Sequence, residues 1–377
     1  MSDDILLIPG PIVISEAVQA ALGTPSLSHT SPEFISIFSS VLEKTRKLFK
    51  ASSKGQPIVL AGSGTLGWDI TGANLIQSGD KALVLSTGFF SDNFAECLKV
   101  YGGDVDKIDA PLGDVVPLDA VRDALEKTQY KLITITHVDT STAVVSDVEA
   151  ISKIVKEVSP ETLIVVDGVC SIGCEDFEFE KWGIDFALTA SQKAVGVPPG
   201  LSISMISERA ANVALERPTD SSFFASLKRW LPIMENYEHH RGSYFATPAV
   251  QLINALNVSL DEILDQGLEA RFAKHKQTSQ EFRKKVVEQL NLNLVSVSED
   301  VSAHGLTAIY VDEPGKVMSF LKDNGIVIAG GIHKDIKTKY IRIGHMGVSA
   351  CDNSRQHMER CFEALKESLH KHQIGRA

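Results

Sequence analysis

Leu163-Ile164-Val165-Val166-Asp167 and, after a polar interval, Phe186-Ala187-Leu188-Thr189-Ala190-Ser191-Gln192-Lys193 form the part of the sequence that decides the fold. Both apolar runs are continuous rather than alternating, as expected of strands buried on both faces of a parallel sheet. Each leads to a charge that a sheet interior does not tolerate: Asp167 ends the first, and Lys193 directly follows the second. A carboxylate at a central strand end needs a partner to offset its desolvation. A lysine there needs a chemical use for its amine, and a Schiff-base lysine has one. For a lysine taken alone, a surface loop is the plainer reading. Asp167 at a neighbouring strand end reverses it.

The same pattern extends outward. Ile58-Val59-Leu60, Ala82-Leu83-Val84-Leu85 and Leu132-Ile133-Thr134-Ile135 precede the decisive strands, and Leu201–Met205 follows them. Helical stretches at Leu118–Glu126 and Asp147–Val158 lie between. Strand, helix, strand in alternation predicts an α/β fold, a mostly parallel sheet between helices joined by right-handed crossovers. Further on, Ser222–Glu235 carries an aromatic-aliphatic helical face. Thr247-Pro248 reads as the N-cap and first residue of a helix running towards Gly267. The rest reads as a smaller α+β unit: a helix from Glu269, strands at Thr307–Val311, Val327–Ala329 and Tyr340–Ile343, and a helix from Asn353. The expected division is 1–255 for an N-terminal segment with the large domain, and 256–377 for a small C-terminal domain.

Composition narrows the function. A chain of 377 residues with 44% hydrophobic and 23% charged side chains supports two packed domains. A net charge of −11 argues against nucleic acid as the main partner, while a locally positive pocket can still bind an anionic small molecule. No apolar run is long enough to span a bilayer, so no membrane partner is expected. The five cysteines are odd in number and scattered. Cys170 and Cys174 lack Cys-x-x-Cys spacing, so free buried thiols and no metal are expected. The acidic start Met1–Asp4 resembles neither a signal nor a transit peptide, and Gly375-Arg376-Ala377 is not a peroxisomal signal. A cytoplasmic location is the expectation, with mitochondrial import through an internal signal left open.

In sheets of this kind ligands sit beyond the carboxyl ends of the strands. Gly62-Ser63-Gly64-Thr65-Leu66-Gly67 follows the first strand and fits Gly-x-Gly-x-x-Gly. The dinucleotide reading also needs an acid after the second strand, which ends in Leu85-Ser86-Thr87-Gly88; Asp80 lies before that strand, at the wrong end. What remains is a helix N-terminus able to receive a phosphate, or a tight turn with no ligand. His137-Val138-Asp139-Thr140-Ser141-Thr142 offers an imidazole and hydroxyls at the same edge, or simply turn chemistry. Glu175, Asp176, Glu178 and Glu180 read as solvated surface. Arg342, the only charge in Tyr340-Ile341-Arg342-Ile343-Gly344, is either a carboxylate clamp or an outward arginine on an edge strand.

Jointly these residues resemble the class V aminotransferases of fold type I, which use pyridoxal 5'-phosphate, and most closely the alanine–glyoxylate group. The likeness covers nearly the whole chain. It runs through Leu6-Leu7-Ile8-Pro9-Gly10-Pro11, Ser63-Gly64, the His137–Thr142 segment, Asp167, Ser191-Gln192-Lys193, Tyr244 with Thr247, and Arg342-Ile343-Gly344. Ala329-Gly330-Gly331-Ile332-His333-Lys334 and Gly344-His345-Met346-Gly347 are similar to the fungal enzymes. The resemblance implies that Lys193 carries the cofactor as a Schiff base and shuttles the proton, and that Asp167 keeps the pyridine nitrogen protonated. It implies that Ser63, Gly64, Thr65 and Gln192 hold the phosphate, with Tyr244 and Thr247 reaching that of a partner subunit in a homodimer. Phe90 and Val169 would flank the ring and Thr140 would bond near its hydroxyl. Arg342 would bind the substrate carboxylate, with Pro9, Gly10 and His29 lining the substrate pocket.

Three positions depart from the family's pattern. Phe90 stands where relatives often carry Trp and so lacks the indole N–H; Thr65 stands where some carry His; Ala143 stands where Gly is common. The implied reaction is a ping-pong transamination from L-alanine to glyoxylate, giving pyruvate and glycine. Serine–glyoxylate or serine–pyruvate transfer is the alternative on the same scaffold, because a methyl and a hydroxymethyl differ by few contacts. Cysteine desulfurases place a His directly before the Lys, where this chain has Gln192, and no Cys is obviously placed as their nucleophile, with Cys351 left open.

Overall fold

The structure is a computed structural model, in which residues 4–373 are described; Met1 to Asp3 and the Gly375-Arg376-Ala377 end lie outside the described residues. The chain begins with β1 (Ile5–Leu6), α1 (Glu16–Leu22), α2 (Pro32–Leu48), β2 (Gln56–Ala61), α3 (Gly64–Leu75), β3 (Lys81–Ser86), α4 (Phe89–Val100) and β4 (Asp104–Asp109). There follow α5 (Leu118–Lys127), β5 (Leu132–Thr136), β6 (Val138–Asp139), β7 (Val144–Val145), α6 (Val148–Val158), β8 (Leu163–Asp167), α7 (Phe179–Trp182), β9 (Phe186–Ala190) and β10 (Leu201–Ile206). The remainder comprises α8 (Glu208–Glu216), α9 (Leu227–Glu238), α10 (Val250–Gln266), α11 (Leu268–Leu290), β11 (Leu306–Tyr310), α12 (Pro314–Asp323), β12 (Ile326–Val327), β13 (Ala329–Gly330), β14 (Tyr340–Gly344), α13 (Val348–Cys351) and α14 (His357–His372). No helix among the described residues is long and apolar enough to cross a membrane.

A seven-stranded sheet in the order β2-β10-β9-β8-β5-β3-β4 forms the centre. Its pairs from β9 through β8, β5 and β3 to β4 are parallel, and β10 runs against both β2 and β9. The fold is thus α/β with a mostly parallel sheet, as the continuous apolar runs predict. Every residue of β5, β8 and β9 is buried, because helices cover both faces. The register sets Thr136 beside Asp167 and Asp167 beside Leu188, so β8 delivers its carboxylate to the sheet's carboxyl edge.

Several elements differ from the sequence reading, each for a local reason. β4, Asp104-Val105-Asp106-Lys107-Ile108-Asp109, has no continuous apolar run because it is the sheet's edge and partly wet. The helix expected over Ser222–Glu235 starts only at Leu227, since the Ser222 hydroxyl accepts from Ala225 N and makes a turn there instead. Thr247 and Pro248 do not open the next helix: α10 starts at Val250 with Ala249 as its cap. The strand expected over Val327–Ala329 is two strands, β12 parallel to β1 and β13 antiparallel to β14. The final helix starts at His357 rather than Asn353, because Asp352 caps a short 3-10 turn over Asn353–Arg355.

Two of the acidic residues expected in solvent are drawn inward. Glu175 is buried, accepting from His304 N and paired with the His304 ring. Glu178, half-buried, shares the Lys50 ammonium with Asp176 and Glu269. All five cysteines are free, but Cys97 and Cys351 are only half-buried.

Three apolar clusters hold the molecule together. The largest joins the central sheet to its helices and takes in α10 as far as Ile263. A second gathers Phe282 and Val286 of α11, Ile309, Ile341 and Leu365, together with Ile5 and Leu7 from the start of the chain. The third lies between them, with Val138, Cys170 and Ala194 on one side and Leu306, Ala308 and Tyr340 on the other. The charged residues singled out by sequence gather at this junction.

Candidate active site

The site is built on the end of β8. Asp167 is buried, with Trp68 Nε1 donating to Oδ2 at 2.8 Å and Val169 N to Oδ1 at 3.0 Å. Burial pushes its carboxyl up from an ordinary 3.8 to about 6, against the pull of those two donors and of Lys193. Lys193 follows β9 and donates from Nζ to the Pro9 carbonyl at 2.5 Å. Gly10 has φ +113°, and a Cβ on it would lie 2.4 Å from Lys193 Cδ, so only glycine lets the N-terminal segment come this close.

A cavity of about 140 Å³ opens between these groups. Asp167, Val169, Gln192 and Lys193 line it from the β8 and β9 ends, Ser63, Gly64 and Thr65 from the start of α3, and Phe90 and Thr140 from the neighbouring turns. Ser63 is the N-cap of α3 yet makes no side-chain cap bond, which leaves its hydroxyl and the N–H groups at the helix start able to receive an anion. Gly64 is needed at this position: a Cβ there would stand 2.7 Å from Val169 Cγ2. The Gln192 amide Oε1 is buried without a partner among the described residues. A helix N-terminus with open donors, an unpartnered amide, a buried carboxylate and a reachable amine fit an aromatic aldehyde that carries a phosphate.

The turns around this cavity are fixed by residues whose part the sequence did not reveal. The Asp139 carboxylate accepts from Phe90 N, Ser91 N and Ser141 N, and from the Ser91 and Ser141 hydroxyls. It thereby ties the start of α4, with Phe90, to the turn that carries Thr140. Tyr340 donates to Ser141 O at 2.6 Å and accepts from Ile332 N and His333 N. Asp139 reads in sequence as an ordinary turn residue, and Tyr340 as an ordinary strand aromatic. A signal for Asp139 is its place between a strand end and a Thr-Ser-Thr run.

Arg342 is not on an edge strand: β14 lies between β11 and β13, and the side chain is 8% exposed. It donates from Nε to Gly330 O at 2.8 Å and from Nη1 to Thr140 O at 3.2 Å. Nη2 makes no hydrogen bond among the described residues, so one arm of the guanidinium is open to a carboxylate.

Six expected residues are not among those lining this cavity: Pro9 and Gly10, which meet Lys193, Arg342, which bonds Thr140 O, and a separate group of His29, Tyr244 and Thr247. His29 packs on Tyr244 with ring centroids 5.2 Å apart, and Tyr244 Oη lies 3.5 Å from Thr247 Oγ1. Tyr244 is 62% exposed, so the group faces outward from the protomer. His137 is also absent from the lining. It packs against Phe177 and Trp182, and burial pushes its imidazole down to about 4, leaving it neutral. Cys351 Sγ faces His275 and Arg271 rather than the cavity.

The sequence pattern described as Aminotransferase class-V matches residues 14–348. Alanine–glyoxylate aminotransferase 1 of Saccharomyces cerevisiae is 56% identical over 380 residues, covering 98% of this chain and 99% of the relative. Serine–glyoxylate aminotransferase of Arabidopsis thaliana is 29% identical and covers 91% of this chain and 85% of its own. The crystal structure of an alanine–glyoxylate aminotransferase from Nostoc sp. matches with a TM-score of 0.90 at 26% identity, covering 98% of this chain and 96% of that one.

Proposed function

The chain belongs to the class V aminotransferases, and from that premise we propose that it moves the amino group of L-alanine to glyoxylate with pyridoxal 5'-phosphate, yielding pyruvate and glycine. The observation that carries this reading is the convergence of Asp167, Lys193 and Arg342 on one junction, with an open anion site at the start of α3. When bound, pyridoxal phosphate supplies an electron sink for the pair left behind as the substrate Cα loses its proton.

The chain's own residues do the rest. Ser63, Gly64, Thr65 and Gln192 would hold the phosphate, and Phe90 and Val169 would flank the ring. Thr140 hydrogen-bonds near the ring hydroxyl. Asp167, as an acceptor, keeps a proton on the ring nitrogen. Lys193 Nζ anchors the cofactor and, once free, carries the proton, with the Pro9 carbonyl as its hydrogen-bond partner. Arg342 binds the substrate carboxylate through its open arm. With the cofactor bound, that grip would present the substrate's Cα–H rather than its carboxylate for cleavage, favouring proton loss over decarboxylation. Pro9 and Gly10 bound the substrate space on the Lys193 side.

Tyr244, Thr247 and His29 are exposed or half-buried in the single chain and sit apart from the lining, which supports a homodimer in which they complete the partner's site. Serine as donor is the second reading, favoured by the serine–glyoxylate relative. One experiment separates them. Protein loaded with pyridoxal phosphate is mixed with L-alanine or L-serine without an acceptor, and the visible cofactor band is followed. Bleaching by alanine and recovery with glyoxylate is the expected result. Bleaching by serine alone assigns the second reading, and a protein that never acquires the band has no such cofactor.

A further inference from the structure

Trp68 is the one cavity-lining aromatic with no part in the mechanism above. It sits in α3, 8% exposed, stacked on Phe94 with centroids 5.4 Å apart and planes 15° from parallel. Packing alone would explain that stack, and a phenylalanine would serve it. The indole N–H is what packing leaves unexplained: it points out of the stack to Asp167 Oδ2, at 2.8 Å.

An indole nitrogen only donates, so its contact has a fixed sense. Oδ2 must present a lone pair to it, and Oδ1 must present one to Val169 N. A proton on either oxygen competes with these donors, which therefore favour the acceptor-only carboxylate over the neutral acid that burial favours. The other charges facing Asp167 oppose each other: Lys193, after β9, favours ionisation, and Asp139, in β6, disfavours it. The indole N–H is thus a neutral group acting with Lys193 on the same equilibrium.

We propose that Trp68 is the positioning residue of Asp167: its indole N–H holds the carboxylate ionised and turns its remaining lone pairs to the cofactor's ring nitrogen. This rests on the pyridoxal phosphate reading. It also gives a counterpart to Phe90, which has no N–H. An indole donor enters the site after all, from α3 and directed at the carboxylate rather than from the stacking position.

The test is indole 15N NMR on the cofactor-free wild-type protein, in which three tryptophans give three indole signals. The Trp68 signal is the one missing in Trp68→Phe, or, should that variant not fold, the one that survives both Trp182→Phe and Trp230→Phe. It is expected to move with pH around a midpoint near 6, to lose that response in Asp167→Asn, and to move again when pyridoxal phosphate is added. Trp68→Phe is expected to bind pyridoxal phosphate about tenfold more weakly, as for one charge-assisted hydrogen bond, and to shift the acid limb of its kcat/KM profile to higher pH. An indole signal indifferent to pH and to the cofactor would make Trp68 a packing residue, as would a Trp68→Phe protein with wild-type cofactor affinity. If the wild-type protein itself bound no pyridoxal phosphate, the functional reading would fall, and the cofactor-free titration would still decide the Trp68–Asp167 contact.

Discussion

Removing the charge of Asp167 is expected to separate stability from activity. Its carboxyl is raised on folding, chiefly by burial, to about 6. Such a group contributes stability that is fully present below its unfolded value and is lost as pH rises through the folded one. At neutral pH the cofactor-free protein therefore carries a buried charge at a cost. Asp167→Asn is expected to stabilise that form by on the order of 2 kcal/mol near neutrality, with the gain vanishing below about pH 4, while transamination falls by orders of magnitude. Urea unfolding at the two pH values checks this, and a variant equal to or weaker than wild type at neutral pH would contradict it. Asp167, Lys193 and Arg342 were legible in sequence because each is a charge where an apolar strand does not tolerate one. Trp68 was not, since an aromatic on an apolar helix reads as core. Glu175 was misread because Asp176 and Glu180 near it do reach solvent, while its own side chain turns back to His304.

Helix α3 reaches the cavity only because it lies close on the sheet. A Cβ on Gly67 would come 2.8 Å from Leu188 Cβ on β9, deep in the largest core. Gly67→Ala is expected to lift the helix, cost about 1–3 kcal/mol, and weaken cofactor binding by displacing Ser63, Gly64 and Thr65. Gly315, in α12, has nothing within 4 Å of such a Cβ, and Gly315→Ala is expected to gain about 0.5–1 kcal/mol. Melting temperatures of the pair, with a pyridoxal phosphate titration, test the opposed signs. Equal shifts would mean that the close approach of α3 is not what matters. The buried strands were legible for the same reason that α3 packs so closely, since two-sided burial leaves an unbroken apolar run. β4 was not, because an edge strand can keep one wet face. The β12 and β13 pair was not, because two short strands with different partners share a single apolar run.

Two copies of the chain should complete what one leaves open. Tyr244 and Thr247 lie outward in the protomer, and Lys193 lies inward. If they meet across a dimer, mixing Lys193→Ala with Tyr244→Ala after refolding together is expected to restore one intact site per mixed dimer, about a quarter of the wild-type rate. Activity that stays at the level of the separate variants would place Tyr244 outside the site. The interior junction was foreseeable from the charges, whereas the outward place of Tyr244 and Thr247 followed from the family resemblance alone, since exposure cannot be read from residue type. The N-terminal strap has a further consequence, in the order in which the protein is made. Ile5 pairs with Ile326, Gly344 N bonds Leu7 O, the Pro9 carbonyl receives Lys193 Nζ, and Ile12 N bonds Gln192 O. Residues 5–12 are made before the central sheet, whereas Ile326 and Val327 are added after the whole of it has been translated. Until they are added, the residue 5–12 segment lacks its β12 partner and the Gly344 N–H, two of the contacts that hold it over the lysine. The lysine pocket is therefore fastened late in biosynthesis, by the earliest-made part of the strap meeting one of the last-made strands.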